Sequence, residues 1–389
     1  MTIDRRRVAI SLAGFCAFLD LYAPQSVLPL LAQELGAGAG DISLAISATT
    51  LAIALIAPFT GAVADVLGRK RVIAAAIMAL VAPTLLVALA HDLRALLLWR
   101  FVQGLLLPPV FAVTVAYIGE EFPPAEATAV TGIYLSASSF GGFMGRFLTG
   151  ILAESIGWRG AFLALAGITL VCALGVAWLM PRERHFRRAD GLITSARQML
   201  WHLRNPQLVA TYAVGFTVLF AFVATFTYVN FHLAAPPFNL SPAELGSIFV
   251  VYLIGAVLTP LTGRSVRRFG QRRLVIGLIA LWMAGLALTL VPTLPAIIAG
   301  LAFSTGCGFM CQAVATGFVT VTAKQGRSSA VGLYVTCYYI GGSAGGLLPG
   351  FVWDAAGWPG AVAMVIAVLL LMALTVQLSW RRAAGGHFE

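Results

Sequence analysis

The chain has 389 residues, 60% hydrophobic and only 10% charged, with a mean hydropathy of +0.92 and a formal net charge of +10. One or two soluble cores could not hide that much apolar surface, which excludes a soluble enzyme. The positive charge would suit nucleic acid, but it falls beside apolar runs and so marks one face of a bilayer instead.

Twelve membrane-length runs are predicted near 8–31, 44–64, 72–90, 95–117, 128–152, 159–180, 207–229, 243–263, 274–291, 295–320, 329–350 and 358–379. Only HDLR (His91–Arg94) separates the third run from the fourth, and only VPTLP separates the ninth from the tenth. Fusing either pair would give a helix too long for a bilayer, so a tight turn is expected at each. Arg5-Arg6-Arg7 precedes an apolar stretch too long for a signal-peptide core, which predicts a retained first helix.

An even number of spans puts both termini on one side. Of the 25 Lys and Arg, all but Arg94, Arg100, Arg146 and Arg159 fall in the gaps on that side. The positive-inside rule therefore places both termini in the cytoplasm of a bacterial inner membrane. The segment IGEEFPPAEA, with Glu120, Glu121 and Glu126, breaks the basic pattern, but acidic residues weigh little in orientation. Cys16, Cys172, Cys307, Cys311 and Cys337 all fall within spans and none has zinc spacing, so no metal site is expected. No glycine-rich loop leads into Lys-Ser/Thr, and no nucleotide or other cofactor is expected.

The arginine-rich stretch 181–206 divides the spans six and six, with halves at 1–180 and 207–389. Pro58, Gly61 and Gly68 recur at one offset as Pro260, Gly263 and Gly270. Gly132, Tyr134, Gly141, Gly142, Gly145, Gly150, Gly157 and Trp158 recur as Gly332, Tyr334, Gly341, Gly342, Gly345, Gly350, Gly357 and Trp358. A tyrosine and a tryptophan repeating in step with glycines point to a duplication. The expected fold is an all-α polytopic membrane protein of twelve helices, two homologous six-helix halves around a central cavity. Rocking such halves opens the cavity to each side in turn, the device of a secondary transporter.

The segment Gly61-Ala62-Val63-Ala64-Asp65-Val66-Leu67-Gly68-Arg69-Lys70-Arg71 resembles the loop between helices 2 and 3 of the major facilitator superfamily. Arg100-Phe101-Val102-Gln103-Gly104 resembles the family's helix 4 pattern. The likeness covers almost the whole chain and is nearest the drug:proton antiporter branch, in particular the YnfM-like group of efflux proteins. Helix 5 departs from that branch, with Ser139-Phe140-Gly141-Gly142 where a Gly-Pro pair is usual. The resemblance implies that Gly61, Asp65, Gly68, Arg69, Lys70 and Arg71 form a gate. The second copy has Arg267 at the Asp65 position, so an asymmetric latch is expected.

Ionisable residues within spans are costly and usually functional. Asp20, well inside the first span, suits proton coupling, although a merely buried aspartate is the plain alternative. Arg100 and Arg146 complete the coupling set, unless they only snorkel toward an interface. Pairing of Arg146 with Asp20 or another carboxylate is favoured over direct contact with an anionic substrate. Tyr22, Gln25, Gln103, Arg146, Tyr228, Asn230, Gln312 and Tyr338 are the substrate-binding candidates; His232 is better placed as a solvated histidine near a loop. Two transport readings follow: proton-coupled efflux of a small organic compound, a drug or a sugar, or proton-coupled uptake of an organic anion. The expected partners are the substrate, protons and lipid, with no nucleic acid and a monomer as the working unit.

Overall fold

The computed structural model describes residues 4–183, 192–323 and 325–380. Its helices are α1 (Arg5–Leu21), α2 (Leu28–Leu35), α3 (Ala39–Leu67), α4 (Arg69–Ala88), α5 (Leu93–Glu121), α6 (Pro124–Leu179), α7 (Leu192–His202), α8 (Pro206–Ala234), α9 (Pro242–Ile248), α10 (Tyr252–Leu258), α11 (Thr262–Phe269), α12 (Gln271–Leu288), α13 (Leu294–Thr322), α14 (Arg327–Leu347) and α15 (Gly350–Ser379). They make a twelve-span, all-α membrane fold. The first span is α1 and α2 in line, the fifth and sixth share α6, and the eighth is the broken series α9, α10 and α11.

Both short punctuation points are tight turns. Asp92 caps α5 by accepting from the backbone N of Ala95 at 2.7 Å, and Pro295 stands in the first turn of α13. The gap between the fifth and sixth spans is a single break: α6 is two helices that meet at Gly157, whose φ of 74° and ψ of 162° are non-helical, so the two spans follow one another without an intervening loop. The stretch 181–206 contains a helix, α7; residues 184–191, with Arg184, Arg187 and Arg188, lie outside the described residues.

The duplication is visible in the backbone. Gly157 and its copy Gly357 both kink their helices at positive φ, as do Gly68 and Gly270 between successive helices. Gly141 and Gly145 of α6 lie against the backbone of Phe15 and Leu19 in α1, and Gly341 and Gly345 of α14 lie in the same way against Phe216 and Phe220 of α8. Small residues let these helix pairs approach backbone to backbone.

The surface is apolar where lipid would touch it, with Leu51, Val171, Leu374 and Leu378 all exposed. Asp20, Arg100 and Arg146 are instead buried within the bundle. That inversion of a soluble protein's pattern places the polar chemistry inside.

Candidate functional site

Proline builds the first part of the site. Pro24 has no N–H for the carbonyl of Asp20, four residues back, so α1 ends and the chain passes through a short 3₁₀ turn, Ala23–Val27. Arg100 of α5 fills the vacancy. Its Nη1 donates to the Asp20 carbonyl at 2.9 Å and its Nη2 to the Leu21 carbonyl at 2.5 Å, while Nε reaches the Ala45 carbonyl at 3.2 Å. Gln103 Oε1 accepts from Nη1 at 2.6 Å. Arg100 does not snorkel; it caps a broken helix in the interior.

The Asp20 carboxyl points the other way, into a pair of hydroxyls. Thr169 Oγ1 donates to Oδ2 at 2.8 Å, and Thr84 Oγ1 lies 3.3 Å from Oδ1. Thr84 also lies 2.8 Å from the Leu80 carbonyl and accepts from Gln103 Nε2 at 2.8 Å. A threonine has one hydroxyl proton. When Asp20 is ionised Thr84 can turn that proton toward it, and when Asp20 is protonated Thr84 can accept from it while bonding Leu80. The surroundings therefore satisfy Asp20 in both protonation states. Thr84 and Thr169 gave no signal in the sequence, because a threonine bonding its own helix looks the same there.

Arg146 does not meet Asp20. Its Nε donates to Gln25 Oε1 at 2.7 Å and its Nη1 to the Gly142 carbonyl of its own helix at 2.6 Å. Three aromatic rings surround the guanidinium: Tyr22 at 4.6 Å, Tyr252 at 4.7 Å and Phe249 at 4.8 Å from Cζ. Among the described residues no carboxylate pairs with it. A charge that is 2% exposed is thus held by ring faces and two neutral acceptors. Desolvated cation–π contacts contribute about 2 kcal/mol or more, and they leave the charge uncancelled. Tyr252 and Phe249, at the break in the eighth span, carried no signal in the sequence beyond being aromatic.

Arg146 also lies at the seam between the first six spans and the last six. Gln25 Nε2 donates to Thr227 Oγ1 of α8 at 3.1 Å. Within the first half, Ser26 donates to the Arg146 carbonyl at 2.7 Å and so ties Arg146 to the segment that carries Gln25. Ser47 of α3 donates to the Ser343 carbonyl of α14 at 2.8 Å. Gly40 and Gly350 approach backbone to backbone, as do Gly150 and Pro242. These crossings lie in the half of the bundle away from the basic loops, and that end is closed.

The remaining candidates scatter. The Tyr228 hydroxyl donates to the Gly346 carbonyl at 2.8 Å and Asn230 Nδ2 donates to the Phe226 carbonyl at 2.6 Å, both within the last six spans. Tyr338 stands between Tyr334 and Tyr339, and Tyr339 stacks on Phe111 at 5.9 Å across the seam. Gln312 is half-buried on α13. His232 stacks on Trp358 at 5.8 Å. At the basic end, Arg69 Nη2 reaches Asp65 Oδ1 at 2.6 Å and Glu120 Oε1 at 2.7 Å, with Nε on Glu120 Oε2 at 3.2 Å. Gly68, at φ 93°, turns the chain between α3 and α4 there. Glu120 belongs to the acidic segment that broke the charge pattern.

Twelve spans in two repeats, with the Arg146 charge buried at their seam, are the architecture of a multi-pass membrane transporter. The chain belongs to the Major Facilitator Superfamily, whose model matches residues 10–236 and 218–386. It is 32% identical to the inner membrane transport protein YnfM of Escherichia coli (strain K12), over 96% of this chain and 89% of that one. A bacterial homolog of the human lysosomal transporter Spinster, solved in an inward-facing and occupied conformation, superposes with a TM-score of 0.78 at 16% identity, over 96% of each chain. The human organic anion transporter MFSD10 superposes with a TM-score of 0.69 at 18% identity, over 97% of this chain and 100% of that one. These two superpositions establish the fold. The family is one of transporters, not enzymes.

Proposed function

We propose that the protein takes up a small organic anion together with a proton, by alternating access. The observation that carries this reading is Arg146, a buried guanidinium at the seam of the halves with rings around it and, among the described residues, no carboxylate paired with it. An anionic group fits there because it neutralises the charge, and arginine's fork suits a carboxylate. A drug that is itself cationic would meet the wrong sign, which weighs against the efflux reading. MFSD10 moves organic anions on the same fold.

Asp20 carries the proton in this scheme, held by Thr84 and Thr169 in either state. Residues 1–180 and 207–389 rock against one another, with 181–206 joining them. The basic loops and both termini face the cytoplasm, so the sealed end faces outward. Asp65, Arg69 and Glu120 form the cytoplasmic latch, and the monomer is the working unit. Similarity to the inner membrane transport protein YnfM supports a YnfM-like place within the family, with cargo set by Arg146. Proteoliposomes with an imposed pH gradient test the proposal against labelled carboxylates, sugars and a cationic dye. Carboxylate entering with protons is the expected result; accumulation of dye or sugar against inward proton flow overturns it.

A further inference from the structure

A second polar hollow lies at the basic end, remote from Arg146. It has a volume of about 450 Å³ and is lined by Asp4, Arg5, Arg6, Lys70 and the end of the sixth span, Trp178 to Pro181. Arg5, Arg6 and Lys70 line it with the Asp4 carboxylate, and Asp4 is already engaged in capping α1 through the backbone N of Arg6 at 3.0 Å and in a pair with Arg7 at 3.5 Å. The Arg5 guanidinium stands over the Trp178 ring at 5.9 Å. Arg6 leans on Phe122 at 5.4 Å. Glu183 accepts from the backbone N of Lys70 at 3.4 Å, which leaves the Lys70 ammonium outside that bond.

The hollow continues into the bilayer region. Leu163, Leu170, Val171, Leu174 and Trp178 form one exposed stripe along the second half of α6, and Trp178, at its end, is 79% exposed. Leu163, Leu170, Leu174 and Trp178 recur at seven and four residues with Val171 beside them, which keeps the set on one helix face. Interfacial tryptophans sit at headgroup level, and basic hollows between helix ends attract anionic lipid. A soluble phosphate would use the cations and ignore the stripe, whereas a phospholipid uses both.

We propose that this hollow binds the headgroup phosphate of an anionic phospholipid, with Arg5, Arg6 and Lys70 on the phosphate, Trp178 at the glycerol level and an acyl chain along the α6 stripe. The site is independent of the cargo assigned above.

The test uses the full chain in nanodiscs of phosphatidylcholine doped with acyl-brominated phosphatidylglycerol or acyl-brominated phosphatidylcholine. Bromine quenches nearby tryptophan, and the part due to Trp178 is the difference between wild type and Trp178→Phe. Phosphatidylglycerol should quench that part more than phosphatidylcholine, a comparison that rests on a conservative variant alone. Lys70→Gln should lower the preference about fivefold, the ratio that goes with one basic residue near an anionic surface. Equal quenching by both lipids overturns the proposal. Loss of the preference on adding soluble glycerol phosphate also overturns it, because the hollow would then be a site for free phosphate.

Discussion

Gln25 holds Arg146 with one end of its amide and Thr227 with the other, at 2.7 Å and 3.1 Å. The residue that orients the buried guanidinium is therefore also one of those that join the two halves. An anion arriving at Arg146 would compete for the Nε–H that Gln25 holds, and so would act on the closure of the sealed end without touching it.

Thr227→Val removes the crossing hydrogen bond while keeping shape. One such bond contributes about 1 kcal/mol, so outward-open molecules should become about fivefold more frequent. Maleimide labelling of a Ser47→Cys reporter, buried in the closed state beside Ser343, measures this; unchanged labelling removes Gln25 from the linking role.

Arg146→Ala should weaken carboxylate binding by about tenfold to a hundredfold, from about 1.5–3 kcal/mol for a hydrogen bond to a charged group. Arg146→Lys should lose nearly as much, because an ammonium cannot hold both Gln25 and a carboxylate in the same plane. Titration calorimetry reads both. Unchanged carboxylate affinity in the alanine variant leaves Arg146 a structural residue.

Asp20→Asn should fold, since the amide can still accept from Thr169, yet it cannot carry a proton. Gradient-driven accumulation should disappear while counterflow exchange continues. Full accumulation by this variant takes the coupling role away from Asp20.

Asp65→Asn should slow turnover about tenfold, equivalent to roughly 1.4 kcal/mol in a barrier, because Arg69 then holds Glu120 alone. Arg267→Gln, in the second copy, should cost less. Equal losses at matched protein levels contradict the asymmetric latch.

Much of this was legible in the chain. Apolar runs fixed the spans because bilayer thickness leaves little choice of length, and the glycine repeats marked packing sites that proved to be backbone contacts. Asp20, Arg100 and Gln103 could be singled out because charge in a span is rare, and they do converge. Their bonding could not be read: Arg100 serves the carbonyls that Pro24 frees, while the carboxyl turns to two threonines. The expected pairing of Arg146 with Asp20 failed for a related reason. Both charges are buried, but they face different neighbours, and sequence carries no information on which way a side chain points across a seam. Tyr252 and Phe249 stayed hidden because an aromatic residue in an apolar helix reads as packing.

At the end of the bundle away from the basic loops, the seal is close enough to constrain its own residues. Where Gly40 meets Gly350, the contact is made of backbone: a Cβ on Gly350 would lie 2.7 Å from the Cα of Gly40 and 3.0 Å from the Tyr228 hydroxyl. A seal made of side chains can be trimmed one methylene at a time, and selection can tune its tightness by degrees. This one offers nothing to trim. Every replacement adds atoms, and the smallest addition, alanine, already wedges the ends apart. Gradual adjustment of how long the carrier stays shut must therefore come from the hydrogen bonds of Thr227 and Ser47, while these two glycines can only be kept or broken.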